Sequence, residues 1–245
     1  MGRMDRFSYL ASLRADADLL LAAGGGALDR AVPTCPGWTC ERLVGHMGRV
    51  HRWTAGWVAT GRSTDLERPP VGDPVVDWAR AGLDQLVAAL EAAEPDARVD
   101  TWAGPQPAIF WPRRMAVETA VHRVDAQAAV GRTTPIDAGL ALDAIDEMFE
   151  VLLPLRGTGD LDRTGETIHL HATDPDLDPV AGGEWLVTLG ADALSVEHAH
   201  AKGDLAVRGT ASDLLLLLWN RVGTDRVQVF GDESLLHRWR MAVTL

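Results

Sequence analysis

Glu118 and His122 stand four residues apart in a stretch of helical periodicity, so their side chains lie one above the other on one face. A carboxylate and an imidazole placed this way can hold one divalent ion between them. The same spacing is common on solvated helix faces, and the pair alone leaves both readings open. His46 is the third candidate. It sits among Leu43, Met47 and Val50 on an earlier helix, where a histidine is either hydrogen-bonded core or an inward-facing ligand. In helical bundles, His and Glu on facing helices build metal sites, and two His with one Glu leave the fourth position of a zinc-like ion open for catalysis. Asp125, one turn beyond His122, is placed to orient that imidazole. His51 falls about 140° around the helix from His46 and is expected on the surface.

Other residues offer weaker chemistry. Arg113 and Arg114 oppose the dipole of the helix they begin; they read as solvated surface charge or as a carboxylate-binding pair beside Phe110 and Trp111. His169 and His171 alternate on one strand-like segment, and His198 and His200 near another. Each pair can share a sheet face, so the four are a candidate second metal site, or plain half-exposed sheet residues. Arg208 and Arg221 flank the helix that follows and are candidates to hold an anionic ligand. Cys40 opens a helix, where a thiol is acidified, but no partner base is recognisable, and a reduced structural thiol is the expectation for it and for Cys35. Phosphate-loop, dinucleotide and serine-hydrolase signatures are absent from the sequence.

The elements that position these residues fall into two halves. From Phe7 to about Leu155 the apolar spacing is helical. Leu10, Leu13, Ala17, Leu20 and Leu21 mark a first helix that weakens at Gly24-Gly25-Gly26. A turn, Pro33-Thr34-Cys35-Pro36-Gly37-Trp38, precedes a second helix with Thr39 as N-cap and Glu41 in its first turn. Its expected buried stripe is Leu43, His46, Met47, Val50, Trp53, Trp57 and Val58. A third helix spans about Val76–Ala93, a fourth Pro112–Val130 and a fifth Ala138–Leu153 leading out of the bundle. After Pro154, Arg156-Gly157-Thr158-Gly159-Asp160 reads as a linker. Strands follow at Thr167–Ala172, Glu184–Leu189, Ala193–His198, Asp204–Arg208 and Arg226–Phe230, with helices at Ala211–Arg221 and Glu233–Ala242. The fold class is therefore α+β: a helical bundle over 1–155 and a smaller α+β domain over 156–245.

Composition narrows the partners. The 245 residues are 47% hydrophobic and carry a net charge of −12, which disfavours nonspecific attraction to nucleic acid or an anionic membrane. Two cysteines exclude a disulfide scaffold. The longest apolar run, Leu214–Trp219, is six residues, against the roughly 20 that span a bilayer. Met1–Arg6 is charged and no apolar signal core follows, so a cytoplasmic protein, monomeric or homodimeric, is expected. Lys202 is the only lysine; arginine, the better carboxylate clamp, supplies the remaining fixed positive charge.

Val32-Pro33-Thr34-Cys35-Pro36-Gly37-Trp38-Thr39 with Leu43-Val44-Gly45-His46 resembles the entry to the second helix of the mycothiol-dependent maleylpyruvate isomerases. Glu118-Thr119-Ala120-Val121-His122-Arg123-Val124-Asp125-Ala126 is similar to their E-x-x-x-H-R-x-D-A segment. Thr167–Asp174 and Leu214–Trp219 resemble their C-terminal domain, so the likeness runs end to end. It implies a DinB-like four-helix bundle binding a divalent metal, usually zinc, through His46, Glu118 and His122. It also implies mycothiol, the small thiol of actinobacteria, as cosubstrate, and an Ala- and Arg-rich chain fits that source. A catalytic arginine of the C-terminal domain is implied too, which we place at Arg221 ahead of Arg208. The implied reaction is thiol addition to the cis double bond of maleylpyruvate, rotation, and expulsion of the thiol to give fumarylpyruvate. Mycothiol S-transfer to another small-molecule electrophile is the alternative within enzymes. A metal-stabilised binding protein without turnover is the alternative outside them.

Overall fold

The computed structural model describes residues 4–94, 97–157, 161, 164–175, 182–191 and 193–243. Met1–Arg3 of the charged N-terminus and residues 158–160 of the expected linker lie outside these. The chain divides into two compact units, Met4–Ile136 and Asp137–Leu245.

The first unit is a bundle of four helices: α1 (Arg6–Gly25), α2 (Cys40–Thr60), α3 (Pro74–Ala92) and α4 (Phe110–Ala129). Side-chain oxygens start two of them, since the first turn leaves amide donors unpaired. Asp5 accepts from the Ser8 amide at α1, and Thr39 from the Arg42 amide at α2. Gly61 ends α2 at a φ of 70°, a left-handed value that glycine adopts without strain. Between α3 and α4 the expected loop contains a short antiparallel ladder of β1 (Arg98–Val99) and β2 (Gln106–Pro107).

The buried side of α2 differs from the expected stripe. Val44, Met47, Gly48, His51, Thr54 and Ala55 are buried, whereas His46, Val50, Trp53, Trp57 and Val58 are half-buried. The reason is the contact with α3. A Cβ on Gly48 would stand 2.7 Å from the Ala79 Cα, and one on Gly82 would stand 2.8 Å from the Gly48 carbonyl oxygen. Two glycines thus bring the helix backbones together, and the larger side chains are pushed to the flanks. There Trp53 and Trp57 join Trp111 of α4, with ring centroids 4.8–6.1 Å apart.

α4 is buried on nearly all sides from Phe110 to Gln127 although it carries many polar residues. Such a helix is tolerated only if its polar groups are paired. Arg123, 2% exposed, donates to Asp16 of α1 at 2.9 Å, to Gln127 at 2.9 Å, to the Thr134 hydroxyl and carbonyl at 2.8 and 2.5 Å, and to the Pro135 carbonyl at 3.0 Å. One side chain therefore fastens α1, α4 and the segment that leaves the bundle.

In the second unit, α5 (Ala138–Glu147) runs through a π-helical turn, Met148–Leu152, into α6 (Leu153–Arg156). β3 (Thr167–Ala172), β4 (Glu184–Leu189), β5 (Leu194–Glu197), β6 (Leu205–Gly209) and β7 (Gln228–Gly231) form one sheet in the order β5-β4-β3-β6-β7. Among the described residues, only β3 and β6 run parallel. α7 (Ala211–Leu218) and α8 (Glu233–Ala242) complete the unit. Alternation along the strands sends Ile168, Leu170, Trp185, Val187, Leu189, Leu205 and Val207 to the buried face. α7 is apolar and buried all round and packs on α5. Trp185 donates its indole N–H to Asp146 of α5 at 2.6 Å. The helix expected to lead out of the bundle thus packs within the second unit, where α5 supplies a wall of the core. The architecture is α+β, a helical N-terminal unit followed by a sheet unit.

Candidate active site

Side chains from two helices of the bundle, α2 and α4, converge on Glu118. His46, at the flank of α2, brings Nε2 to 3.8 Å from Glu118 Oε1, and His122, one turn along α4, brings Nε2 to 3.4 Å from the same oxygen. The donor atoms of His46, Glu118 and His122 all lie within 4.8 Å of one another. His46, Glu118 and His122 are 20%, 21% and 11% exposed in their side chains. The other carboxylate oxygen, Oε2, is taken by the guanidinium of Arg114, four residues earlier on α4.

The imidazoles are held differently. His122 Nδ1 lies 2.9 Å from Asp125 Oδ2, whereas the Nδ1 of His46 is buried without a hydrogen-bond partner. Asp125, fully buried, is fixed in turn by the Thr34 hydroxyl at 2.5 Å and the Cys35 thiol at 3.5 Å. The turn before α2 also contributes Trp38, whose ring meets His46 edge-on at 5.0 Å and stacks with His122 at 6.4 Å. An Ala31–Thr39 bridge closes that turn. One short segment thus orients both histidines, one by a hydrogen-bonded carboxylate and both by an aromatic wall.

Electrostatics follow from this packing. Burial works against the charge of Glu118, but Arg114 first, and then His122 and His46, outweigh it and hold the carboxyl well below its usual range. Burial likewise opposes charge on His122, yet Asp125, Cys35 and Glu118 raise it well above an ordinary histidine. A carboxylate ionised at neutral pH beside two imidazoles, one with its far nitrogen locked on an acid, is the donor set of a mononuclear divalent-metal site. The residues fit such an ion.

Several sequence expectations change. His51 is buried, 3% exposed, its Nε2 3.0 Å from the Thr119 hydroxyl of α4. It lies one turn after Met47, on the buried face that the glycine contact sets. Burial lowers its pKa to about 4. Arg113 and Arg114 are also buried, 3% exposed each, and not solvated surface charge; α4 is enclosed from its first turn. Cys40 is fully buried, and burial, then Asp29, pushes its thiol up, which keeps it a protonated structural residue. Sequence reasoning did not single out Thr34 and Trp38. Their signal was position, in a Pro- and Gly-punctuated turn directly before the helix that carries His46.

The second histidine cluster forms with altered membership. His169 and His171 share a face of β3, and His200, beyond β5, joins them around Glu184 of β4. His198 goes elsewhere, 3.3 Å from Asp146 and against the Trp185 ring. Arg208 is exposed on β6, opposite His171. Arg221, just past α7, donates to the Trp219 carbonyl at 2.8 Å, with its guanidinium 5.8 Å from the Trp219 ring centroid. Both arginines belong to the second unit, and His46, Glu118 and His122 to the first.

Among the described residues, no helix is long and apolar enough to cross a membrane. No curated protein matches the chain by sequence. In fold it is similar to the crystal structure of the mycothiol-dependent maleylpyruvate isomerase, with a TM-score of 0.63 at 16% identity over 94% of this chain and 95% of that one. A mutant of that enzyme gives the same TM-score and coverage at 15% identity. Residues 10–127 match the model of the mycothiol maleylpyruvate isomerase N-terminal domain, and residues 139–238 the model of the C-terminal domain of the same family. Together these matches cover the bundle and the sheet unit in order, and the chain belongs to the mycothiol-dependent maleylpyruvate isomerase family.

Proposed function

We propose that the protein is an enzyme that uses a divalent metal, zinc in our reading, to activate mycothiol for addition to a small electrophile. The observation that carries this reading is the convergence of His46 Nε2 and His122 Nε2 on one oxygen of Glu118. Three protein ligands are the number that catalytic zinc sites use, the fourth position being left for water or substrate. When bound, the ion lowers the pKa of a coordinated thiol, so that the nucleophilic thiolate exists at neutral pH.

The chain's own residues do the rest. Asp125 accepts from His122 Nδ1, so that Nε2 is the nitrogen that would give up its proton and face an ion. Arg114 holds the Glu118 carboxylate in one orientation. Trp38 limits water around both imidazoles. Arg221, ahead of Arg208, is our assignment for the arginine that binds a substrate carboxylate. The favoured reaction is cis–trans isomerisation of maleylpyruvate to fumarylpyruvate by reversible thiol addition. Mycothiol S-transfer, which consumes the thiol, is the second reading. The domain limits proposed for these roles are 1–155 and 156–245, and the reading places the enzyme in the cytoplasm.

Metal analysis of purified protein and of His122→Ala, with calorimetry of mycothiol binding, tests the site. One ion fewer per chain in the variant than in wild type, lost together with thiol binding, is expected; a variant that keeps the wild-type metal content and thiol binding overturns the assignment. Maleylpyruvate with substoichiometric mycothiol then separates the reactions: continued turnover means isomerase, and arrest at one equivalent of thiol means transferase. Arg221→Lys should raise KM for the carboxylate substrate with metal content unchanged.

A further inference from the structure

We propose that His169, His171, Glu184 and His200 form a second metal site, specific to the sheet unit and independent of the candidate active site, that takes a zinc-like divalent ion in closed four-ligand coordination. The three imidazoles form a nearly equilateral triangle, with ring centroids 5.7, 5.9 and 6.0 Å apart. Each turns a nitrogen toward the same carboxylate oxygen. Glu184 Oε2 lies 2.8 Å from His169 Nε2, 2.6 Å from His200 Nδ1 and 3.7 Å from His171 Nδ1. One donor atom from each of the four residues lies within 4.8 Å of the others.

The register builds this cluster. β3 alternation puts His169 and His171 on the face opposite the apolar core, and antiparallel pairing sets Glu184 directly across from His171. His200 arrives from the connection after β5, one strand beyond β4. A tetrahedral ion with bonds of about 2.0–2.1 Å would set imidazole centroids roughly 5.2 Å apart, so the triangle needs to contract by under about 1 Å. His200 is the natural mover, because its side chain is 79% exposed on a connection, whereas His169 is only 8% exposed on a central strand.

Imidazole-rich sets with one carboxylate suit zinc and the neighbouring late transition ions, not calcium or magnesium. Four protein ligands leave no position for substrate, which gives the site a structural role. It ties the β5–β6 connection to the middle of the sheet, and its binding energy adds to folding stability. Nothing in this inference depends on the function of the first site.

The test uses tag-free, chelator-treated full-length protein titrated with Zn2+ or Co2+ and assayed by equilibrium dialysis with metal analysis. Wild type should take two ions per chain, His122→Ala one, and the His171→Ala/His200→Ala double variant one. The variant combining all three substitutions should take none. Co2+ in His122→Ala should show the intense visible bands of tetrahedral coordination, and His200→Ala alone, a surface change compatible with folding, should weaken that binding at least tenfold. A His122→Ala protein that takes up no ion, or a His171→Ala/His200→Ala protein that still takes two, overturns the proposal. Loss of the first ion alone in His122→Ala tells against neither the second site nor its ligands.

Discussion

Arg123 stands in the same segment as Glu118 and His122, yet its bonds lead away from them, and replacing it by methionine separates scaffold from site. The change removes five hydrogen bonds, takes the guanidinium away from the Asp16 carboxylate, and leaves the Thr134 and Pro135 carbonyls without this donor. Gln127 is spared, because its Oε1 also accepts from the Thr134 amide at 3.0 Å. Breaking one side of a buried charge pair costs about 3–5 kcal/mol, since the other charge stays buried. For a chain of this length a kilocalorie moves Tm by about 2–4 °C, so a fall of roughly 10 °C is expected by calorimetry. Arg123→Lys, which keeps the charge but not the fork of donors, should fall about half as far. In Asp16→Asn/Arg123→Met the carboxylate charge is gone as well, and the loss should be smaller than the sum of the singles by at least about 0.5 kcal/mol. Metal content at low temperature should match wild type in every variant. A Tm within 2 °C of wild type for Arg123→Met, or strict additivity in the double, would refute the reasoning.

Three further outcomes follow from the geometry. Asp125→Asn keeps the shape but loses the charge behind His122, and should weaken metal binding about 10–100-fold in a competition titration while leaving far-ultraviolet dichroism unchanged. Gly48→Ala should destabilise the protein by about 1–2 kcal/mol in urea despite alanine's better helix propensity, because the new methyl meets the α3 backbone. His51, neutral in the folded state down to about pH 4 but titrating near 6.5 when unfolded, makes the unfolded chain bind the extra proton between those values. Stability therefore rises with pH across that window, by up to about 3 kcal/mol from this residue. His51→Asn should flatten the slope in chelator-treated protein, and an unchanged slope would show that His51 titrates alike in both states.

Element limits were largely legible in the sequence because apolar spacing and caps are local signals. The fourth helix and the strands β3, β4, β6 and β7 fall within a few residues of expectation. The candidate donor set was legible for the same reason: Glu118 and His122 are one turn apart, and the apolar spacing put His46 in the stripe of α2. What failed depended on contacts distant in sequence. The stripe on α2 was misplaced because glycine counts for little in an apolar tally, although Gly48 is where α3 comes closest. The burial of Arg113 and Arg114 depends on α4 being enclosed, which no local pattern states. His198 and His200 were paired by period-2 reasoning, but β5 ends at Glu197, and alternation has no force beyond it. Glu184 was not weighed as a ligand because its place opposite His171 is a matter of strand register, set by pairing across the unresolved choice of partners in the sequence.

The guanidinium on Glu118 has a consequence for attraction. The chain as a whole is strongly anionic, which repels dicarboxylates at long range. With a divalent ion in place as proposed, and before a thiolate binds, its two charges and that of Arg114 would stand against the carboxylates of Glu118 and Asp125, leaving these groups a net charge of about +1. That excess is felt only within about 8 Å at physiological ionic strength. An anionic reactant therefore meets a repulsive approach and an attractive well, so capture should quicken as added salt screens the outer field while the contact inside is barely weakened. Long-range steering would instead make capture slow down in salt, so the proposed site predicts the opposite response.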